Sequence, residues 1–457
     1  MPELTSEQQR FLAELCPGDG HLFGAEESLV YGADASRLFG APLAVVRPTE
    51  TGQVSKLLAW AQDQGVPVHT RARATGLVGG AVPDAGGVVL STLRMNRILD
   101  MDAEDFVCVT QPGVVTSELQ EQLEARGLFY PPDPASVEIS TIGGNVATCA
   151  GGMRAVKYGV TREFVLGVEA VLPGGEVVRF GGRSHKNVVG LDLGRLFVGS
   201  EGTLGVITEI TLKLLPLPEA TASVLACFGT LEAALAGARS MFAAGILPTA
   251  LELMTRGVLD CVAKVRSLPF GSGSGAALLV KIDGGREALS ADLARLEAVL
   301  DKAGPTCVQK GQGHDQEEPL WEVRRLINPA SFQMAPDKLA DDIAVPRGKV
   351  APALAAIEDI SADVGLPILT FGHLGDGNIH VNVMYDAATQ AERARQAKER
   401  VLDAVLALGG TMSGEHGIGL LKRPYIERQI GGRELELMRK VKAVFDPTNI
   451  MNPGKAY

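Results

Sequence analysis

The pattern of apolar and polar positions predicts a mixture of strands and helices in the first half of the chain. Residues 42–46 form a short apolar run that predicts a strand, and the next stretch repeats apolar residues at helical spacing up to Gly65. Residues 66–70 again have the character of a strand. Along 206–214 one set of alternate positions is mostly apolar and the other polar, which predicts a strand with one buried face.

A capping pattern predicts one further helix in this half. Ser117 and Gln120 have the Ser-x-x-Gln spacing in which the two side chains bond the first free backbone N–H groups of a helix. We therefore expect a helix over 117–127 with Ser117 at its start.

The pattern changes after Pro216 and Pro218, which indicate a domain boundary. Beyond them, strand-like runs alternate with helical stretches at 231–244 and 288–303, which is typical of an α+β layer domain. A last helix is predicted near 432–445. The expected organisation is an N-terminal segment, two domains and a C-terminal segment, with bounds at 1–40, 41–218, 219–412 and 413–457.

Length and composition restrict the class of protein. A chain of 457 residues is too long for one compact core, and a net charge of −11 argues against a protein that follows nucleic-acid phosphates. No run approaches the roughly 20 apolar residues of a membrane span, and the N-terminus lacks the pattern of a signal peptide. We therefore expect a cytoplasmic protein without a transmembrane segment.

The six cysteines are scattered and form no CxxC pair. This distribution is typical of reduced, mostly buried thiols. It also means that the chain carries no cysteine pattern for an iron–sulfur cluster of its own.

Two glycine-bracketed segments carry the candidate chemistry, FGHLGDGNIHVN and SGEHGIG. The glycines between His373 and His380 exclude a continuous helix and favour a turn followed by a strand, on which His380 and Asn382 share a face. With Glu415, the two histidines could hold a divalent metal with open positions, and His416 could move a proton. Histidines in such loops also cap turns, so the residues alone leave both interpretations open.

A third glycine-rich segment, RARATGLVGGAV, covers Arg71 to Val82. Small residues let backbone N–H groups approach an anion, so this loop could bind phosphate. It is neither a GxGxxG nor a Walker A sequence, and taken alone the loop is better explained as an ordinary turn.

Several unrelated motifs occur together in one order, from the loop just described to the C-terminus. They are PPDPAS, STIGGNVAT, AGG with KYG, SEGTLGVITE, GHLGDGNIHVN, GEHGIG and DPTNIMNPGK. In this order they resemble the FAD-linked oxidases and dehydrogenases of the vanillyl-alcohol-oxidase type. Within that superfamily the chain is most similar to the D-2-hydroxyacid dehydrogenases, which include D-lactate, glycolate and D-2-hydroxyglutarate enzymes.

The resemblance implies an α+β fold. It consists of a two-subdomain FAD-binding domain (41–218), a ferredoxin-like substrate or cap domain (219–412) and a C-terminal segment that returns to the FAD domain (413–457). The implied FAD contacts are Arg71, Ala72, Arg73, Ala74, Thr75, Gly76, Gly79, Gly80, Pro132, Thr141, Ile142, Gly143, Gly144, Asn145, Ala150, Gly151, Gly152, Tyr158, Gly159, Glu201, Gly202, Val206, Ile207 and Asn452.

Two features of the first loop qualify this expectation. Relatives with covalent FAD carry a histidine where this chain has Thr75, which implies non-covalent FAD here. Relatives usually have Arg-Gly-x-Gly-Thr, whereas this chain has Ala72 and Ala74 at the glycine positions. Because alanine disfavours positive φ, either these two residues have ordinary φ or FAD binding is weakened; we expect ordinary φ.

The resemblance also implies roles for the candidate site. His373, His380 and Glu415 would bind zinc, manganese or iron, and His416 would be the general base while hydride leaves for flavin N5. The substrate would be held by Asn382 and by Arg324, with Lys338 as a weaker candidate. A small D-2-hydroxy acid is expected, with D-lactate or glycolate favoured and a D-2-hydroxyglutarate-specific enzyme as an alternative.

Electrons would pass to a separate acceptor, because the chain has no cluster of its own. An electron-transfer flavoprotein, an iron–sulfur subunit and a quinone are the expected classes, and a homodimer is left open. Two other functions are compatible with parts of the sequence. One is a non-catalytic FAD-binding subunit of a larger oxidase, and the other is a metallohydrolase that uses the His/Glu cluster without flavin.

Overall fold

A computed structural model describes residues 3–268 and 273–457. The chain forms two compact units. The first unit comprises Met1–Gly151, Val160–Leu217 and Glu415–Tyr457, and the second comprises Gly152–Gly159 and Pro218–Gly414. The chain therefore passes from the second unit to the first between Gly414 and Glu415, inside the SGEHGIG segment.

The first unit contains helices and short strands, labelled here in chain order through both units. The helices are α1 (Ser6–Leu15), α2 (Ala25–Ser28), α3 (Thr51–Gln64), α4 (Thr116–Glu124), α5 (Ile142–Thr148), α7 (Gly194–Phe197) and α15 (Ile426–Phe445). The strands are β1 (His21–Leu22), β2 (Ala44–Val46), β3 (Val68–Arg71), β4 (Val88–Ser91), β5 (Ile98–Asp102), β6 (Val107–Thr110), β7 (Leu128–Phe129), β8 (Val165–Val171), β9 (Val177–Gly181), β10 (Val206–Lys213) and β11 (Leu215–Pro216).

These strands build two main sheets. One has the order β1-β2-β4-β3, with β4 parallel to both β2 and β3. The other is antiparallel and has the order β5-β6-β10-β8-β9. The C-terminal segment extends the edge of the first sheet, since Met451 bridges Val68 in parallel. The last residues are thereby tied to β3, which leads into the first glycine-rich loop.

Local patterns explain most of these elements, with one correction. Alternation along the end of β10 is confirmed, because Ile210 and Leu212 are buried whereas Glu209, Thr211 and Lys213 are half-buried. Helix α4 begins at Thr116 after Val115 and has no side-chain cap, so the predicted capping box is wrong. The side chain of Gln120 instead donates to two backbone carbonyls in the segment after the helix, at 3.0 and 2.9 Å. A contact with the following loop has replaced the local cap.

Helix α15 begins earlier than its periodicity predicts. The predicted part, 432–445, follows a break at Gly431, where φ is 73° and ψ is 162°. About one and a half turns of helix precede that break. A glycine at this point permits the change of direction between the two helical parts.

In its described residues, the second unit is an α+β layer of seven strands and eight helices. The helices are α6 (Ala155–Tyr158), α8 (Leu231–Ala243), α9 (Arg256–Val265), α10 (Arg286–Asp301), α11 (His314–Arg325), α12 (Ile327–Ser331), α13 (Val350–Val364) and α14 (Ala387–Ala407). The strands are β12 (Ala220–Phe228), β13 (Ala250–Thr255), β14 (Ala276–Gly284), β15 (Cys307–Gln312), β16 (Asp337–Ala344), β17 (Ile368–His373) and β18 (Asn378–Tyr385).

The sheet of the second unit is antiparallel and has the order β15-β12-β14-β13-β17-β18-β16. Its first four strands follow the 4-1-3-2 order of a ferredoxin-like unit, in agreement with the expected fold. Helices α8, α10, α13 and α14 cover one face with a large apolar core. Helices α9, α11 and α12 cover part of the other face with a second core.

One short segment of the chain belongs to the second unit although residues on both sides of it belong to the first. Within 152–159, the Lys157 ammonium donates to the carboxylate and backbone of Asp283, and the Tyr158 hydroxyl donates to the same carboxylate at 3.0 Å. Both contacts lie on the strand β14. Among the described residues, no helix is long and apolar enough to cross a membrane.

Candidate active site

The first unit contains a cleft that encloses about 1420 Å³, counted with its open mouth. Its walls come mainly from the first glycine-rich loop, the start of α5, the turn before β10 and the GEHGIG segment. The expected cofactor residues that line it are Arg71, Ala72, Arg73, Ala74, Thr75, Gly76, Gly80, Thr141, Gly143, Gly144, Asn145, Ala150, Gly151, Glu201, Gly202 and Ile207.

Eight expected cofactor residues are not among the lining residues of the described chain. The side chains of Tyr158 and Asn452 are engaged elsewhere, Tyr158 with Asp283 and Asn452 with Glu201 and Lys455. The other six are Gly79, Pro132, Ile142, Gly152, Gly159 and Val206.

The first loop departs from the expected backbone at Ala74. Ala74 has φ 53°, the left-handed region, so the expectation of ordinary φ at both alanines is wrong for this residue. Ala72 does not have positive φ. The loop backbone at Ala74 is left-handed, and an L-residue with a Cβ atom is strained there by about 1 kcal/mol.

Arg71 has a structural role within this loop. Its guanidinium donates to the backbone carbonyls of Ala33, Val30 and Tyr31 at 2.6, 3.0 and 3.4 Å. Burial lowers the pKa of Arg71, and the nearby Asp34 carboxylate opposes that shift. The side chain therefore fixes the N-terminal segment against the cleft, and only part of it lines the cavity.

Asp34 also lines the cleft and was not expected from the sequence. One of its carboxylate oxygens accepts a hydrogen bond from Ser36 N at 3.0 Å, and the other accepts one from Ala81 N at 3.4 Å. The signal was weak, because a lone aspartate in a loop outside the recognised motifs has no distinguishing spacing. Its role depends on the N-terminal segment folding back onto the first loop.

Close backbone packing makes the cleft. Gly202 has φ 70°, and a Cβ atom there would lie 2.5 Å from Thr70 Oγ1. A Cβ at Gly143 would overlap Pro112. Thr70 Oγ1 is buried at the cleft wall and has no hydrogen-bond partner in the part of the chain that the structure describes. A cavity bounded by backbone with an unsatisfied hydroxyl suits a ligand that supplies hydrogen-bond acceptors.

Glu415 and His416 line this same cleft within the first unit. The Glu415 carboxylate lies against Gly151, where an added Cβ would be 2.9 Å from Glu415 Oε2. The turn that follows is held by the buried carboxylate of Glu201, which accepts from Ile418 N at 2.7 Å and Gly419 N at 2.8 Å. A single acid thus positions the segment immediately after His416.

In the second unit, one face of the sheet gathers the other candidate residues. Strands β17 and β18 form the hairpin expected from the glycines, with His373 opposite Asn378 and Phe371 opposite His380. Side chains of directly opposed residues lie on the same face. The rings of His373 and His380 are 5.1 Å apart between centroids and nearly perpendicular. Asn382 lies two residues beyond His380, so the expected shared face is confirmed.

Glu252 is the central residue of this face, and it was missed in the sequence. It is fully buried on β13 opposite His373, and its two carboxylate oxygens accept from His373 Nδ1 and Arg324 Nε, each at 2.6 Å. Burial alone would raise the pKa of Glu252, but His373 and Arg324 lower it to about 2. The sequence feature that could have indicated Glu252 is an acidic residue inside an apolar strand, because a buried acid needs a partner.

Arg324 is fixed by more than this ion pair. Its guanidinium carbon lies 4.7 Å from the centre of the Phe371 ring, and its side chain is 14% exposed. Glu252 bonds the Nε atom and the Phe371 ring lies beside the guanidinium. These two contacts together orient its terminal nitrogens. Such preorganisation favours binding of a planar carboxylate.

Asp342 is a second buried acid that the sequence did not indicate. It lies opposite His380 on β16, and it accepts from Gly414 N at 2.7 Å and Ser413 Oγ at 3.3 Å. Gly414 is pressed against Asn378, whose amide nitrogen would overlap any Cβ at that position. Gly414 is thus locked beside the strand pair that carries both histidines.

Lys338 lies on the same strand and face as Asp342, four residues before it. Its ammonium donates to Asn328 Oδ1 and lies 5.0 Å from the centre of the Phe332 ring. The second unit therefore brings together His373, His380, Asn382, Arg324 and Lys338 on one side of the sheet.

Comparison with known families identifies the class of this protein. Residues 42–181 match the FAD binding domain model, and residues 217–456 match the model of the C-terminal domain of FAD linked oxidases. The second match alone covers more than half of the chain. The chain belongs to the FAD-linked oxidases, and most residues that line the cleft of the first unit lie in the part that matches the FAD binding domain model.

Two curated relatives match over nearly their full length. The chain is 40% identical over 432 residues to the glycolate oxidase subunit GlcD of Bacillus subtilis (strain 168), covering 94% of this chain and 92% of the relative. It is 37% identical over 445 residues to the D-lactate dehydrogenase of Anaerostipes hadrus, covering 95% and 92%. The expected family is therefore confirmed.

A solved structure agrees on the fold. The crystal structure of p-cresol methylhydroxylase superposes with a TM-score of 0.80 at 16% identity, covering 99% of this chain and 97% of that chain. At this identity the match concerns the fold alone. The expected FAD domain with an α+β cap is confirmed.

Proposed function

We propose that this protein oxidises a small D-2-hydroxy acid to the 2-oxo acid, with non-covalent FAD and a divalent metal. The relatives support the substrate class, because glycolate and lactate are both 2-hydroxy acids. The observation that carries the proposal is the buried His373–Glu252–Arg324 group. It offers a metal-binding imidazole and a carboxylate-binding guanidinium that are held by one acid.

FAD supplies a two-electron acceptor when it is bound. The loops at 72–76 and 141–145 and the Glu201–Gly202 turn, which line the cleft, would hold it. Thr75 has no nucleophilic nitrogen that could attach to the flavin, unlike a histidine. Non-covalent binding is therefore the expected state.

A divalent metal would be held by His373, His380 and Glu415. The first is buried and the other two are partly buried, and two imidazoles with one carboxylate suit zinc, manganese or iron. Glu252 fits the role of the acid that orients a metal-binding histidine through its other ring nitrogen. When bound, such an ion supplies a Lewis acid that lowers the pKa of a substrate hydroxyl.

The chain itself supports the inclusion of Glu415. Gly414 is fixed beside Asn378 and hydrogen-bonded to Asp342, and Glu415 is the next residue. Consecutive Cα atoms are about 3.8 Å apart. Glu415 therefore directly follows a residue that lies beside the strands carrying the two histidines.

His416 is the proposed general base. It follows Glu415 directly and precedes the turn that Glu201 holds. We propose that its imidazole accepts the hydroxyl proton of the substrate while Arg324 binds the substrate carboxylate and Asn382 donates to a substrate oxygen. An imidazole is suited to this role because its ordinary pKa lies near neutrality.

Electrons must then leave for a separate carrier, such as an electron-transfer flavoprotein, an iron–sulfur subunit or a quinone. The six cysteines support this part of the proposal, because none forms a cluster-binding pattern and all are free thiols.

The choice of acid depends on the second cation of the pocket. D-Lactate and glycolate need one cation for their single carboxylate, whereas D-2-hydroxyglutarate needs two. Lys338 is the candidate for the second, but its ammonium is already bonded to Asn328. We therefore favour D-lactate or glycolate.

The test is a panel of initial rates with an artificial electron acceptor. The purified, FAD-loaded protein is given D-lactate, glycolate, D-malate or D-2-hydroxyglutarate at equal concentration, and Lys338→Met is assayed beside it. Highest kcat/KM for D-lactate or glycolate, with little change in Lys338→Met, is the expected result. Highest kcat/KM for D-2-hydroxyglutarate, lost in Lys338→Met, would overturn the choice of acid. No turnover of any member would overturn the proposed activity.

A further inference from the structure

Lys455 is a fully buried lysine in the first unit, next to the FAD cleft. Its side chain is 1% exposed, and its ammonium lies 3.1 Å from His69 Nδ1 and 3.3 Å from Asn452 Oδ1. Burial lowers the pKa of Lys455 to about 8, and burial lowers the pKa of His69 to about 3. The imidazole is therefore neutral and accepts a hydrogen bond from the ammonium. A buried charge of this kind is costly unless its partners are fixed.

The charge environment of Lys455 is made by acids that surround the cleft. Asp84, Asp34 and Glu201 are near enough to favour the charged ammonium. Asp34 and Glu201 line the cleft itself. Two carboxylates in the wall of a cleft for an anionic diphosphate cofactor would repel it, so a buried cation beside them is favourable.

Asn452 connects Lys455 to the cleft wall. Its amide oxygen accepts from Lys455 Nζ, and its amide nitrogen donates to Glu201 O at 2.7 Å. Its backbone N–H donates to Val68 O at 2.9 Å, which holds the C-terminal segment along β3. The Asn452 amide thus bonds Lys455 through its oxygen and the Glu201 backbone through its nitrogen.

The Glu201–Gly202 turn depends on that contact. Both residues have positive φ, 51° and 70°. Gly202 is wedged between Thr70 and Asn452, because an added Cβ would be 2.5 Å from Thr70 Oγ1 and 2.9 Å from Asn452 Nδ2. Movement of Asn452 would therefore displace a wall of the cleft.

We propose that Lys455 is a positioning residue of the FAD site, which acts through Asn452 on the Glu201–Gly202 turn and offsets the carboxylates of the cleft wall. The side chain does not contact the cofactor in this proposal. It fixes the wall before the cofactor enters and keeps two acids from repelling the diphosphate. The proposal rests on FAD binding alone and is independent of which acid is oxidised.

The test measures release of FAD from the purified holoprotein, followed by the rise in free FAD fluorescence far below the melting temperature. Lys455→Met keeps the length of the side chain and removes the charge. We expect roughly tenfold faster release, the effect of losing one hydrogen bond to a charged group. Lys455→Arg restores a cation and should release FAD at an intermediate rate. Lys440→Met is the control, because Lys440 is exposed and pairs only with Glu436 among described residues.

A structural role without positioning gives a different result. Lys455→Met would then melt at a lower temperature but release FAD at the parental rate, and the proposal would be wrong. If Lys455→Met does not accumulate as folded protein, Asn452→Ala takes its place. Faster release from Asn452→Ala supports the proposal, and a parental rate overturns it. When both single variants fold, the double variant should release FAD more slowly than the product of the two single effects predicts, because the two side chains share one contact.

Discussion

The FAD cleft and the polar sheet face of the second unit differ in the kind of atoms that form them. The cleft is bounded by backbone and by small residues, with Gly143 and Gly202 in places where a Cβ atom has no room. The sheet face is made of ionisable side chains, such as the Glu252–His373 pair, that are buried and hydrogen-bonded to one another. Substitutions that add atoms should therefore disrupt the cleft, and substitutions that remove polar atoms should disrupt the sheet face.

The largest effect should come from removing a proposed metal ligand from the face. His373→Ala should reduce kcat/KM by about 1,000-fold, because transition-state stabilisation by a metal is worth several kcal/mol. FAD content should not change, since the cleft belongs to the other unit. Steady-state kinetics and metal content by elemental analysis check both statements. His185→Ala is the control, because His185 is exposed and bonds only the Asp105 carbonyl in the described chain; full activity in His373→Ala would exclude the metal role.

A smaller effect should come from adding one methyl group at Gly414, the last residue before the chain passes from the second unit to the first. Gly414→Ala would place its Cβ on the Asn378 amide, so the segment that carries Glu415 and His416 must move. Displacement by about 1 Å can reduce catalysis about 100-fold. We expect kcat to fall by that amount with FAD retained. Gly348→Ala is the matched control, because nothing lies within 4 Å of its added Cβ; equal activity in both variants would contradict the proposed importance of this turn.

Loss of the acid behind His373 should weaken metal binding without abolishing it. Glu252→Gln keeps the shape but no longer favours the orientation of the imidazole, and metal affinity should fall about tenfold. Competition with a chelator measures the change. Glu317→Gln is a stringent comparison, since Glu317 is an equally buried acid that bonds Ser223 and Lys281 away from the histidines. It should reduce the melting temperature and leave metal affinity unchanged.

The smallest effect should be a gain in the cleft. Ala74→Gly removes a Cβ from a residue with φ 53°, so it should stabilise the protein by about 1 kcal/mol. Denaturant unfolding of the two proteins measures the difference. Ala72→Gly should bring no such gain, because Ala72 does not have positive φ. A gain at position 72 and none at 74 would contradict the described loop.

The two regions also differ in how much the sequence could predict. Periodicity and glycine placement were sufficient for the β17–β18 hairpin and for the shared face of His380 and Asn382. Ordered motifs were sufficient for most of the cleft lining. The contacts that support these residues were not predicted, because Glu252 and His373 are 121 residues apart and Lys455 and His69 are 386 apart.

Local rules failed for a common physical reason. Ser117 and Gln120 match a capping box, but a contact of Gln120 with the following loop replaced it. Ala74 was expected to have ordinary φ, but the surrounding loop imposes a left-handed backbone. In both cases tertiary contacts outweighed a preference worth about 1 kcal/mol.

The most direct test of the proposed chemistry is anaerobic bleaching of the bound flavin. The yellow, metal-loaded protein is mixed with D-lactate, L-lactate or glycolate without any electron acceptor, and the visible absorbance is followed. We expect loss of the oxidised flavin band with D-lactate or glycolate but not with L-lactate. The same protein stripped of metal should stay yellow until metal is restored. Bleaching that is complete without metal would contradict the metal dependence, and a fully loaded protein that no 2-hydroxy acid bleaches would contradict the proposed function.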